Sequence, residues 1–437
     1  MEVPFWMLLP FVAMLLCIAL APLIVEKQWE KNVNKLWVSL FFGAIVAVWM
    51  VANNTPENQF THKLIHQVVF DYVPFMVLLA ALFVVTGGIH VSGDIQATPK
   101  VNTFILTIGF MLASLMGTTG AAMLLIRPLI STNSQRKYTT HTILFFIAIV
   151  ANCGGLLTPL GDPPLFLLYL RGAEFTWFTN LIPVWAFTGV CLLVVYYLLD
   201  SYYYRKRESL ENLMDDAMNT KPITYQGLVN LVWLAGVVLS VMFVNSNYIP
   251  AMGDAHAPVY ILLLREEVLL VIILLSLLTT KRQVRRDNHY SWAPIIEVAV
   301  LFIGIFVTMT PALIYLNANA SSMGLTEPWQ FYYSTGMLSS FLDNAPTAVA
   351  FHSVASGLPL AEGAPVVAGI SEVLLKVIAT SSVFFGAMTY IGNGPNFMVK
   401  AIAEQSGLRM PSFFGYIFKF SLVVLLPVYV LAQLIFF

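Results

Sequence analysis

The chain holds 437 residues, 58% of them hydrophobic and only 10% charged, with a formal net charge of −1. Apolar runs of roughly 20 residues, long enough to span a bilayer, recur from end to end and place the chain in the membrane. No region is polar and long enough for a separate soluble domain, and no nucleic-acid partner is expected. Cys17, Cys153 and Cys191 fall in apolar segments at spacings that fit neither a disulfide framework nor a zinc site.

The first run, near 4–24, follows only Met1-Glu2-Val3, without a basic lead or a small-residue cleavage site. It reads as a spanning helix rather than a signal peptide. Further spans are expected near 36–53, 68–88, 141–170, 175–199, 227–245, 259–280, 294–317, 367–405 and 412–437. Basic residues set the orientation. One set of loops carries Lys27, Lys31, Lys35, Lys100, Arg136, Lys137, Arg205, Lys206, Arg207, Lys221, Lys281, Arg282, Arg285, Arg286 and Arg409, whereas the other carries Lys63, Arg171 and Arg265. The richer set is cytoplasmic by the positive-inside rule. The alternation closes only if 101–130 and 329–355 are hairpins that enter and leave on one side.

The expected fold is an all-α integral membrane protein of two inverted repeats, with about ten spanning segments, two re-entrant hairpins and two broken helices. The first repeat covers 1–199 (hairpin 101–130, broken helix 141–170) and a cytoplasmic linker covers 200–226. The second repeat covers 227–437 (hairpin 329–355, broken helix 367–405). The expected setting is a bacterial inner membrane, crossed many times, with both termini outside.

Two stretches within the broken segments copy one another. Gly155-Leu-Leu-Thr158-Pro-Leu-Gly161-Asp162-Pro163-Pro164 is followed, 231 positions later, by Gly386-Ala-Met-Thr389-Tyr-Ile-Gly392-Asn393-Gly394-Pro395. A Gly/Pro-interrupted apolar segment in corresponding places of two halves points to a transporter's binding site. Backbone freed from a helix at that depth persists only where it is buried in protein or lines a cavity. The hairpin tips correspond as well. Ser114-Leu-Met-Gly117-Thr118-Thr119-Gly120 aligns with Ser340-Phe-Leu-Asp343-Asn344-Ala345-Pro346-Thr347. Helix-end N–H and C=O groups left open at such tips, together with Thr118, Thr119, Asn344 and Thr347, suit a small ion or polar solute.

Asp162 and Asp343 stand out because a carboxylate at bilayer depth costs about 2.5–3.5 kcal/mol on insertion scales and usually faces a cavity. Asp162 has a competing reading as the cap of a helix starting at Pro163. Asp343→Asn is expected to damage transport more than Asp162→Asn. Carboxylates beside freed carbonyls suit a hard cation such as sodium, with Asp162, Asp343, Asn344 and Asn393 as the sodium candidates. A carboxylate there could also take a proton as the ion leaves. Other charges read as structural: Glu372 and Lys376 as an i,i+4 pair, Arg265, Glu266 and Glu267 as an interfacial helix start, Glu297 near a helix end, and Lys400 as snorkelling or offsetting site charge. His352 reads as a packing or hydrogen-bonding residue. No metalloprotease, serine-hydrolase or phosphate-loop motif is present, so neither an enzyme nor a nucleotide-driven pump is expected, and no cofactor is.

Asn152-Cys-Gly-Gly-Leu-Leu-Thr-Pro-Leu-Gly-Asp-Pro-Pro164, Phe341-Leu-Asp-Asn-Ala-Pro-Thr347 and Ile391-Gly-Asn-Gly-Pro-Asn396 resemble the ion transporter superfamily. That group includes citrate and dicarboxylate carriers, arsenite permeases and NhaD-type sodium/proton antiporters. The chain looks most similar to the citrate-transport branch often labelled sodium:proton antiporter. The resemblance implies a homodimer and an elevator-like movement; the candidate site residues are Thr118, Thr119, Asn152, Thr158, Gly161, Asp162, Asp343, Asn344, Thr347, Thr389, Gly392, Asn393 and Asn396. Dicarboxylate carriers resemble a Ser-Asn-Thr pattern at both tips, where this chain has Gly117-Thr118-Thr119 and Asp343-Asn344-Ala345. Sodium/proton antiport is therefore the leading expectation, and cation-coupled transport of citrate or a dicarboxylate is the alternative. The partners are correspondingly a small inorganic cation and a proton, or a small carboxylate anion, besides the lipid bilayer.

Overall fold

The architecture comes from a computed structural model that describes residues 2–254, 256–360 and 363–437, less the side chains of Leu23 and Glu26. Met1, read above as part of the short lead to the first helix, lies outside the described residues. The chain is mainly helical, and among the described residues eight helices are long and apolar enough to cross a membrane. They include Pro99–Met116, read from sequence as a hairpin arm; Val229–Phe243 is apolar but shorter.

The first half runs through α1 (Leu9–Ile24), α2 (Asn32–Ala52), α3 (Val73–Thr86), β1 (His90–Asp94), α4 (Pro99–Met116), α5 (Thr118–Thr132), α6 (Thr140–Ile149), α7 (Pro163–Leu170) and α8 (Ile182–Lys206). After α9 (Leu210–Met218) and β2 (Lys221–Gln226), the second half runs through α10 (Val229–Phe243), α11 (Leu264–Thr279), α12 (Ala293–Ala318), α13 (Pro328–Phe341), α14 (Asn344–Ser356), α15 (Glu372–Phe385), α16 (Gly394–Gln405) and α17 (Leu426–Phe436). The stretch read as a linker is structured. α8 carries through Asp200 to Lys206, and β2 pairs antiparallel with β1, with His90 opposite Gln226. The polar composition of 200–226 hid both features, because Asp200 and Asp216 are buried against partners from the first half.

Local chemistry fixes the hairpins. At the start of α4, Thr98 accepts a hydrogen bond from the Val101 N–H and Pro99 takes the first position, where a missing N–H costs nothing. A single residue, Gly117, joins α4 to α5. Its φ of +80° lies in a region that L side chains rarely adopt. At the start of α13, Pro328 follows Glu327, whose N–H donates to Gln330 Oε1 at 2.9 Å. Asp343 caps α14 by accepting from the Ala345 N–H at 3.0 Å.

The halves interlock. α2 packs against α12 and α3 against α11, while α5 packs on α16 and α7 on α14. Each half thus lends the same positions to the other. A large apolar core runs through most of these contacts, with a second, smaller cluster around Val46 and Met50 of α2, and the large apolar residues left exposed, such as Trp37, Phe41 and Leu434, belong on a surface facing lipid.

Candidate functional site

Both broken segments are built alike. α6 ends at Ile149, a 3-10 turn spans Cys153–Leu157, Thr158 is extended, and α7 starts at Pro163. α15 ends at Phe385, a 3-10 turn spans Gly386–Met388, Thr389 is extended, and α16 starts at Gly394. The Thr158 hydroxyl donates to the Ser114 carbonyl, and the Thr389 hydroxyl donates to the Ser340 carbonyl at 2.5 Å. Each threonine occupies a carbonyl that the end of its hairpin arm would otherwise leave open. Each hydroxyl also accepts from the N–H two residues on, Leu160 or Ile391, at 3.2 Å. Within each break the backbone closes on itself. A Cβ on Gly161 would stand 1.9 Å from the Gly155 carbonyl oxygen, and one on Gly392 would stand 2.7 Å from that of Gly386.

Asp162 is the hub where the breaks and tips meet. Its side chain is 1% exposed. Oδ1 accepts from the Thr118 hydroxyl at 2.7 Å and from Asn393 Nδ2 at 3.0 Å, and Oδ2 accepts from Asn344 Nδ2 at 2.5 Å. Asn393 Nδ2 reaches Asn152 Oδ1 at 3.1 Å, and Asn152 Nδ2 donates to Asn396 Oδ1 at 2.7 Å. Asn396 in turn donates to the Gly386 and Thr389 carbonyls at 2.7 and 2.9 Å. The network therefore joins Thr118, Asn152 and Asp162 of the first half to Asn344, Asn393 and Asn396 of the second. Asn344 Oδ1 is buried without a hydrogen-bond partner. No lysine, arginine or histidine among the described residues bonds to Asp162.

The capping role falls on the other acid from the one the sequence suggested. Asp162 makes no side-chain cap bond, because Pro163 and Pro164 supply no N–H and the next one, at Leu165, bonds to the Asp162 backbone carbonyl at 3.0 Å. Its carboxylate is left to receive side-chain donors from across the molecule. Asp343, followed by two residues that do have an N–H, turns its carboxylate onto Ala345 and stays outside the network. The Thr347 hydroxyl bonds to the Asp343 carbonyl at 2.8 Å and is likewise outside it. Thr119 joins Gly117, Thr118 and Asp162 in lining a largely apolar cavity of about 100 Å³. Small-molecule sites usually measure roughly 300–1,000 Å³, so this space suits an ion rather than a tricarboxylate.

Several of the other charges singled out from the sequence are paired. Glu372 meets Lys376 at 2.9 Å, Lys400 meets Glu404 at 2.9 Å and Glu297 meets Lys35 at 2.6 Å. His352 Nε2 bonds to the Ala368 carbonyl at 2.9 Å. Arg265 and Glu266, expected at the membrane interface, are buried against each other, with Arg265 over the rings of Phe166 and Tyr169; aromatic faces substitute for water around the guanidinium. Sequence reading passed over two acids. Asp200, fully buried, receives Arg136 at 2.6 and 3.1 Å, His141 at 2.9 Å and Asn102 at 3.3 Å. Asp71 stands 3.4 Å from Arg171. Asp71 lies within an apolar run, the signal that singled out Asp162, and Asp200 lies at the end of one.

Compared with protein-family models, residues 1–437 match one described as "Putative citrate transport". No curated protein matches the chain.

Proposed function

We propose that this chain, which belongs to the citrate-transport family, is a secondary active transporter of citrate or a related small carboxylate, coupled to a cation or proton held at Asp162. The family supports the carboxylate. The coupling site rests on one observation: a buried carboxylate receives three side-chain donors and no basic partner, beside the unpartnered Asn344 Oδ1. A hard cation such as sodium, drawn to oxygen ligands, would take Asp162, Asn344 Oδ1 and the Thr118 hydroxyl oxygen. A proton on the carboxylate would neutralise the same charge. The ligands come from the hairpin and broken-helix parts of both halves, so in this reading the ion travels with that part as access alternates. In this reading the halves are inverted repeats, α4–α5 and α13–α14 are re-entrant hairpins, and the protein works as an elevator in a homodimer, with both termini outside.

Sodium/proton antiport is the second reading, favoured by the lack of a basic side chain at Asp162. Proteoliposomes carrying a pH dye and labelled citrate separate the two. Citrate uptake driven by a sodium or proton gradient is expected. Asp162→Asn, which keeps the size but removes charge and titration, should bring uptake to background and flatten its pH dependence. Asp343→Asn retains a capping acceptor and should stay close to wild type, in place of the larger effect the sequence suggests. Sodium-induced proton flux without any carboxylate uptake would instead establish the antiporter.

A further inference from the structure

The surroundings of Asp162 leave a multiply charged anion without a positive partner. A second cavity, of about 560 Å³, offers one, and its size falls within the usual range for small-molecule sites. It lies between the segment that precedes α3, the end of α7, α12 and α14, with Lys63, Gln67, Asp71, Arg171 and Asn317 among its lining residues. The helices place it. α7 starts beside Asp162 and its eight residues, about 12 Å at 1.5 Å per residue, end at Leu170, just before Arg171. α14 starts at Asn344, which bonds to Asp162, and its last turns bring Ser353 and Ser356 to the same cavity. The cavity thus stands at the far end of the two helices whose starts meet at the hub.

Its donors are underused. Arg171 has five N–H groups and, among the described residues, makes one side-chain hydrogen bond, to Asp71 at 3.4 Å. Gln67 is 7% exposed, and its Nε2 has no hydrogen-bond partner among the described residues. Lys63 is exposed and forms no ion pair among the described residues, and His62 and His66 stand beside it on the rim. Asp71 offsets one positive charge, and the carbonyl end of α7 adds a partial negative one. Arg171 lies against both, which leaves Lys63 as the uncompensated charge.

We propose that this cavity is an outer binding site for a small polycarboxylate, with Arg171 as its forked donor, Gln67 as a neutral donor and Lys63 as the steering charge. A planar guanidinium matches a carboxylate bidentately. By the charge-based orientation, which puts Lys63 and Arg171 outside, the site receives substrate before the hub admits it. The choice of a carboxylate rests on the transport reading above, whereas the donor geometry does not.

The test titrates citrate into the purified full-length protein by calorimetry and follows citrate uptake in proteoliposomes. Arg171→Gln should weaken citrate binding about 10- to 100-fold, the range for losing a hydrogen bond to a charged group. It should raise KM similarly while largely preserving kcat. Lys63→Gln should slow uptake at low salt more than at high salt. Because Arg171→Gln leaves Asp71 unpaired, the double variant Asp71→Asn/Arg171→Gln is measured alongside and should show the same loss. Unchanged affinity and KM in both would overturn the site while leaving carboxylate transport intact. Arg171-dependent citrate binding without any uptake would keep the site and remove the transport reading. Wild type that neither binds nor carries citrate, succinate or tricarballylate would remove both.

Discussion

Asp162 and Asn393 hold the same place in their breaks, 231 residues apart, and hydrogen-bond to each other at 3.0 Å. One side of the pair carries charge and the other carries an amide, so a like-charge clash is avoided where the halves meet. Arg136 and Asp200 solve a different problem. Both side chains are fully buried, and Arg136 also reaches the Ala97 carbonyl at 3.2 Å. This ties the start of the first hairpin to the end of α8. Removing one partner of such a pair costs about 3–5 kcal/mol, because the other charge is left buried and alone. Arg136→Gln should therefore lower the thermal stability of the detergent-solubilised protein markedly, and Arg136→Gln/Asp200→Asn should recover part of the loss. Equal stability of wild type and Arg136→Gln would show that the pair is not held in the folded protein.

The broken helices depend on backbone contacts that permit no side chain. Gly161→Ala and Gly392→Ala should both abolish transport, since the new methyl would meet the Gly155 or Gly386 carbonyl oxygen. Gly161→Ala should be worse in folding yield, its contact being the closer. Gly394→Ala is the control: a Cβ there meets nothing within 4 Å. Uptake assays normalised to inserted protein check all three, and wild-type transport by Gly161→Ala would mean that the break is not as tight as drawn. These elements were legible in the sequence because Gly, Thr and Pro act on their own backbone and immediate neighbours. The π-helical turns at Gln67–Tyr72 and Ile417–Leu425 were not, since nothing local separates them from ordinary apolar helix.

Across the molecule, the exchange of α2 with α12, α3 with α11, α5 with α16 and α7 with α14 makes the halves interdependent. Neither half has the hydrogen-bond partners of the Asp162 network or its packing surface without the other. The inverted arrangement requires α4 and α5 to enter and leave from the cytoplasm. Cysteines placed at Lys100 and Ser134 should both react with an impermeant reagent from that side only. Reaction from opposite sides would make this segment a crossing and rule out the inversion.

The apolar helical runs, the turn at Gly117, the paired breaks and the prominence of Asp162, Asn344 and Asn393 could be read from the chain. Apolar run length, helix-breaking residues and isolated carboxylates are local properties, and a bilayer constrains them strongly. Which of the two acids joins the hydrogen-bond network could not be read. It depended on Asn344 and Asn393 arriving from 182 and 231 residues away, and on whether nearby backbone N–H groups competed for each carboxylate. The burial of Asp200 was hidden for the same reason, because a charge near the end of an apolar run stays in water unless a distant Arg136 comes to meet it. Sequence specifies which groups cannot face lipid, whereas the fold specifies which groups they face instead.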